Sequence, residues 1–143
     1  MFNKILVCLD GSACSLDAAR MGASIAGRFG SEVLALHVFH IDNASMGVWV
    51  IAIGQDSVDN AAREEMAAIE QGIRPLFERA GAAYRMMQKT GHPVDSILHV
   101  AETEKVDLIV IGSRGLGGFK EFLLGSVSSG VLHHASCPVL IVR

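Results

Sequence analysis

The amino-acid sequence predicts a single α/β domain over residues 1–143, an open parallel sheet of five strands with helices on both faces. Two observations predict it. Short runs rich in Val, Ile and Leu alternate strictly with segments whose apolar residues recur every three or four positions, in the order β-α-β-α-β-α-β-α-β. Parallel strands need long, right-handed crossovers, so this alternation lays a helix over each connection. The run Val106 to Ile111 is also almost continuously apolar, as in a strand buried on both faces.

The elements follow in order. Lys4 to Leu9 is the first strand and ends at Asp10-Gly11-Ser12; from Ser15 to Phe29 the period switches, with Leu16, Ala19, Ala23 and Ala26 on one helical face. Gly30 stops this helix, and Glu32 to His40 reads as the second strand. From Ser57, the residues Val58, Ala62, Met66, Ile69, Ile73, Leu76 and Ala80 mark a long amphipathic helix that Pro75 should kink or shorten. Ala83 to Lys89 is a weaker third strand. Gly91-His92-Pro93 then leads into a helix with Val94, Ile97, Leu98 and Ala101 on its buried face, its proline in the first turn, where a missing N–H costs nothing. After the fourth strand come a glycine loop, a helix of about ten residues from Ser126, and a last strand, Val139 to Val142. Ile41 to Asp56 fits none of these elements. With Trp49 among Val48, Val50, Ile51 and Ile53 it reads as a covered edge strand or as a flap over a ligand, and its apolar density predicts that it does not sit bare in water.

Composition narrows the function. Half of the residues are hydrophobic and 19% are charged, which suits a packed globule. The 12 basic and 15 acidic residues leave a net charge of −3, and no stripe of Lys and Arg is present to follow a phosphate backbone, so no nucleic-acid partner is expected. The most apolar stretch, Met46 to Gly54, is far short of the roughly 20 residues of a membrane helix, and the N-terminus lacks a signal-peptide core. The expected location is cytoplasmic, with no membrane partner. Cys8, Cys14 and Cys137 are odd in number and form no C-x-x-C pair, which fits a reducing compartment; Cys8 reads as a small buried hydrophobe, and Cys14 has neither a resolving cysteine nor a neighbouring cation. Adjacent His133 and His134 point to different faces of a helix, and His37 and His40 to opposite faces of a strand, so no metal site is expected from either pair.

The segment Gly112 to Ser126, GSRGLGGFKEFLLGS, reads G-x2-G-x9-G-S. Glycine permits positive φ and close approach of a ligand, and a helix entered at Gly125-Ser126 would offer unpaired N–H groups and the positive end of its dipole to an anion such as phosphate. This is no Walker A loop, because Ser126 rather than lysine follows Gly125. The dinucleotide fingerprint G-x-G-x-x-G is missing as well, since the first strand ends in Asp10-Gly11-Ser12 and no third glycine follows Gly115 and Gly117 at the required spacing. On spacing alone two readings stand, a phosphate loop and a turn that merely closes a strand. Asp10 likewise stands as a turn former or helix cap, and Val38 as strand core. No nucleophile elbow G-x-S-x-G is found.

Together with Asp10 at the end of the first strand, this motif resembles the ATP-binding branch of the universal stress protein family. The likeness runs nearly end to end, from Lys4-Ile5-Leu6-Val7 through Leu36-His37-Val38 and Gly91-His92-Pro93 to Cys137-Pro138-Val139-Leu140-Ile141-Val142. The resemblance implies the strand order 3-2-1-4-5, a Rossmann-like sheet of the adenine-nucleotide alpha hydrolase-like kind, in which strands one and four frame a ligand crevice at their carboxyl ends. It implies ATP as the ligand, with or without Mg²⁺ or Mn²⁺. Asp10 would meet the ribose or the metal-bound phosphate, and Val38 would offer main-chain groups to the adenine edge, beside Cys8 where relatives often carry Pro or Ala. Gly112, Gly115, Gly125 and Ser126 would cradle the phosphates, Val127 would follow in the same turn, and Arg114 and Lys120 would add positive charge. The resemblance further implies slow or absent hydrolysis with no catalytic residue, a homodimer through the last strand, and a nucleotide-responsive switch or chaperone-like factor in stress response whose downstream partner is unspecified. The competing readings are a slow ATP hydrolase of the same fold and a stress-response interaction protein that binds no nucleotide; the intact motif weighs against the second.

Overall fold

The computed structural model describes residues 1–40, 43–116 and 123–143. In chain order the elements are β1 (Lys4–Leu9), α1 (Ala13–Phe29), β2 (Glu32–Phe39), α2 (Asn43–Ile53), α3 (Gln55–Ala80), β3 (Tyr84–Thr90), α4 (Pro93–Thr103), β4 (Leu108–Gly112), α5 (Ser126–His134) and β5 (Val139–Val142). The five strands pair in parallel in the order β3-β2-β1-β4-β5, as expected.

Strand alternation divides the core into two layers. Ile5, Val7 and Leu9 of β1, Val33 and Ala35 of β2 and Val110 of β4 pack with Ala18, Ala19 and Ala23 of α1 and Ile69, Ile73 and Phe77 of α3. The intervening residues Leu6, Cys8, Leu34, Leu36, Ile109 and Ile111 pack on the other face, with Ile97, Val100 and Ala101 of α4 and Val131 of α5. Each fully buried aliphatic side chain contributes about 1.5–3 kcal/mol. Both faces of the central strands are therefore apolar, which is why these strands read as continuous runs in the sequence.

Local signals set the element ends. Ser12 caps α1, its Oγ accepting from the Ser15 N–H at 3.2 Å, and Gly30 ends that helix in the left-handed region at φ 68°. Pro93 opens α4 at its first position. Two expectations need correction. Pro75 does not shorten its helix: α3 runs through it for 26 residues. Pro75 and Gln71 are both on the exposed side, so the carbonyl deprived of its N–H partner faces water while Ile73 and Phe77 stay buried. The segment read as a covered edge strand or as a flap contains, among its described residues, a helix, α2, and no strand, and in the single chain its apolar residues face solvent, Val48 at 67% and Ile51 at 88% exposure. Because α2 is apolar on every side, it carries neither a strand nor a helix period.

Candidate functional site

The strand order reverses at β1 and β4. Their register pairs Ile5 with Leu108 and Val7 with Val110, so the two strands end level, with Asp10 just beyond β1 and Ser113 just beyond β4. A cavity of about 380 Å³ opens at this point, a size that suits a small-molecule ligand. It is lined by Asp10, Val38, Gly112, Arg114, Gly115, Gly125, Ser126 and Val127. All eight residues singled out from the sequence and its resemblance thus lie around one space, although they come from four separate stretches of chain. Lys120, the other proposed positive charge, lies outside the described residues.

The chemistry differs along the cavity. At the β4–α5 end, α5 starts with Gly125 as its cap and no side chain caps it. Gly125 donates its N–H to the Ser113 carbonyl at 2.7 Å, so it is held by the protein. The next three N–H groups, of Ser126, Val127 and Ser128, are those that a helix leaves without intrahelical partners. Ser128 is 2% exposed and anchors the turn, its hydroxyl placed 2.9 Å from Ser113 O and 3.0 Å from Gly125 O. Ser126 is exposed toward the cavity.

Gly112 and Gly125 lie in close packing, and Gly115 lies beside the Asp10 carboxylate. Gly112, Gly115 and Gly125 all have ordinary negative or extended backbone, and the left-handed glycines lie elsewhere, at Gly11, Gly30, Gly54, Gly81 and Gly91. A Cβ on Gly112 would lie 2.8 Å from the main-chain carbon of Cys14, so β4 meets the first turn of α1 in direct contact. A Cβ on Gly115 would lie 2.7 Å from Asp10 Oδ2. Positive φ, one of the two reasons offered for these glycines, is therefore not their reason among the described residues. Asp10 forms the turn, its Oδ1 accepting from the Ser12 N–H at 2.8 Å, while Oδ2 lies beside Gly115 at the cavity.

At the β2–α3 end the lining includes His37, His40 and Glu65, of which only the histidines had been considered, and as metal ligands. His37 is 1% exposed and its Nδ1 is 3.0 Å from the Leu9 carbonyl oxygen. Glu65 Oε1 is 3.2 Å from His37 Nε2, but the contact lacks hydrogen-bond geometry and Nε2 stays buried without a hydrogen-bond partner. A signal for this pair existed in the sequence: Glu65 falls on the inward stripe of α3 between Ala62 and Ile69, and His37 interrupts an apolar strand. Burial and the Asp10 carboxylate raise the pKa of the Cys8 thiol in the floor between the two ends, which makes it an inert wall. His133 and His134 each place Nδ1 on the carbonyl four residues back, at 2.7 Å and 2.9 Å, and so finish α5 rather than contribute to the cavity. Among the described residues no cluster of three His, Cys, Asp or Glu could hold a metal ion, and no helix is long and apolar enough to cross a membrane.

Residues 1–143 match the model of the universal stress protein family. The chain is 34% identical to universal stress protein YxiE of Bacillus subtilis, with the whole of both chains covered. It superimposes on the structure of MJ0577, a protein of Methanocaldococcus jannaschii, with a TM-score of 0.84 at 30% identity, covering 99% of this chain and 96% of that one. It superimposes on a universal stress protein solved in complex with cAMP with a TM-score of 0.77 at 25% identity, covering 99% of this chain and 97% of the other.

Proposed function

The chain belongs to the universal stress protein family, and from that premise we propose that it binds ATP in the cavity between the ends of β1 and β4. The observation that carries the proposal is the first turn of α5, whose N–H groups at residues 126–128 have no intrahelical partner and whose residues line the same cavity as Asp10 and Gly115. Such a turn favours an anion, and the cAMP complex of a structural relative supports an adenine nucleotide as the molecule that brings it. In this reading the phosphates lie against Ser126 and Val127 with Arg114 beside them, and Val38 offers its main chain to the base. A divalent ion, Mg²⁺ or Mn²⁺, would arrive with the phosphates and meet Asp10 Oδ2. Among the described residues the cavity lining holds no lysine, and in this reading the protein is a nucleotide-responsive switch or chaperone-like factor in stress response. The test is to denature purified protein and identify the nucleotide released; recovery of ATP supports the reading. Absence of any adenine nucleotide, together with no ATP binding by calorimetry, overturns it.

The same reading includes a homodimer through β5. This strand ends the sheet, and Val139, Leu140, Ile141 and Val142 are all half-buried with β4 on one side only. An apolar edge of this kind is a ready site for pairing with a second copy. Leu140→Lys with Val142→Lys should convert a dimer into monomer or aggregate by light scattering; an unchanged dimer places the interface elsewhere.

A further inference from the structure

The two ends of the cavity have opposite hydrogen-bonding character. The α5 end presents donors. At the β2 end, His37 Nδ1 lies 3.0 Å from a carbonyl oxygen, which can only accept, so Nδ1 carries the proton and donates to Leu9. In the neutral ring Nε2 is then a lone pair, and it lies buried and unbonded 3.2 Å from a carboxylate oxygen that is itself an acceptor. The Val38 carbonyl oxygen adds an acceptor. Phe39 O accepts from Gly91 N on the β3 side, and successive strand residues turn their main chain to opposite sides, so Val38 faces the β1 side, where β1 has ended opposite His37. Acceptors crowded together call for a donor from the ligand. Because β2 and β4 flank β1, about 10 Å separates the two ends, so the part of a ligand that reaches β2 is far from its phosphates.

We propose that Glu65, set by the buried His37, selects the base of the bound nucleotide by accepting a hydrogen bond from an exocyclic amino group. A 6-amino purine supplies the missing donor, whereas a 6-oxo purine brings a third acceptor against the carboxylate. Glu65 suits this role because its side chain is 43% exposed and lines the cavity, while the imidazole behind it is fixed by Leu9. His37, in the lining of the same end, is a positioning residue, its ring held by Leu9 and its Nε2 edge limiting how the Glu65 carboxylate can lie.

The inference rests on the nucleotide reading, and the test separates the two. Calorimetry on the full chain compares ATP, ITP and inorganic tripolyphosphate; ITP replaces the 6-amino group by an oxo group and carries a proton on N1, and the Glu65 variants isolate the part of the discrimination that the carboxylate makes. Wild type should prefer ATP over ITP by about tenfold or more, because an unpaired acceptor facing O6 is costly. In Glu65→Gln, whose amide can also donate, and in Glu65→Ala, the preference should fall below about threefold with tripolyphosphate affinity unchanged. His37→Phe should lower the same ratio, a readout that a purely structural role would not move. An unchanged ratio in Glu65→Gln, or equal binding of ATP and ITP by wild type, overturns base selection while the phosphate site stands. Failure of wild type to bind any of the three overturns the nucleotide reading and this inference with it.

Discussion

The two ends of the cavity are built from different materials. The β4–α5 end is made of main chain: a Gly112 packed without room for a methyl group, a carbonyl of Ser113 that takes both Gly125 N–H and Ser128 Oγ, and a helix start with open N–H groups. The β2–α3 end is made of side chains, with His37 and Glu65 meeting over a strand that outruns its neighbour. Main-chain donors cannot be changed by substitution, only displaced, so the first end is altered by adding atoms. The second is altered by replacing them. Substitutions at the glycine end should accordingly span a wide range of effect, depending on what the added atoms strike.

The largest effect belongs to Gly112→Val. A Cβ there would meet both the backbone and the Cβ of Cys14 at 2.8 Å, at a point where β4 and α1 are fixed in the core. Overpacking of this kind should cost about 3 kcal/mol of stability. Urea denaturation measures it, and a midpoint equal to wild type would show that the strand end yields and that Gly112 is not a packing glycine.

Gly115→Val comes next and acts differently. Gly115 is exposed, so its added side chain strikes only the Asp10 carboxylate, 2.7 Å from the new Cβ, and the rest of the valine fills the cavity. Far-ultraviolet circular dichroism should be unchanged and ATP binding lost. At a hundredfold excess over its dissociation constant ATP should stabilise wild type by about 2.7 kcal/mol, and the variant should lose that gain. Retention of the ATP-induced rise in melting temperature would show that the loop is only a turn.

These two glycines mark what the sequence discloses and what it hides. The sheet, its neighbours and every helix end set by Ser12, Gly30 or Pro93 follow from apolar period and turn chemistry, because those signals are local. That Asp10, Val38 and the glycine loop converge follows from strand order, which the resemblance supplied and alternation alone does not. The reason for the glycines was hidden: spacing shows that a side chain is unwelcome, but only the fold shows that Cys14 and Asp10 are what it would strike. α2 was hidden because a segment apolar all round has no period to read. Glu65 was hidden in plain view, since one carboxylate in an inward helical stripe looks like a boundary residue until His37 is found opposite it.

The smallest effect distinguishes two serines one turn apart in function though only two residues apart in sequence. Ser126 is exposed at the cavity, and Ser128 is buried with its hydroxyl on Ser113 O and Gly125 O. Ser126→Ala removes one donor to the phosphates and nothing the fold uses, so it should weaken ATP binding by about 1 kcal/mol and leave the nucleotide-free melting temperature unchanged. Ser128→Ala removes the hydroxyl that ties the turn to the end of β4, so it should lower the nucleotide-free stability by about 1–3 kcal/mol through the buried partners it leaves behind. Paired calorimetry and thermal denaturation of the two variants check this. If both variants moved stability and affinity together, the donor face of the turn and its anchor would be one unit, and the α5 end would not be a preformed main-chain cradle.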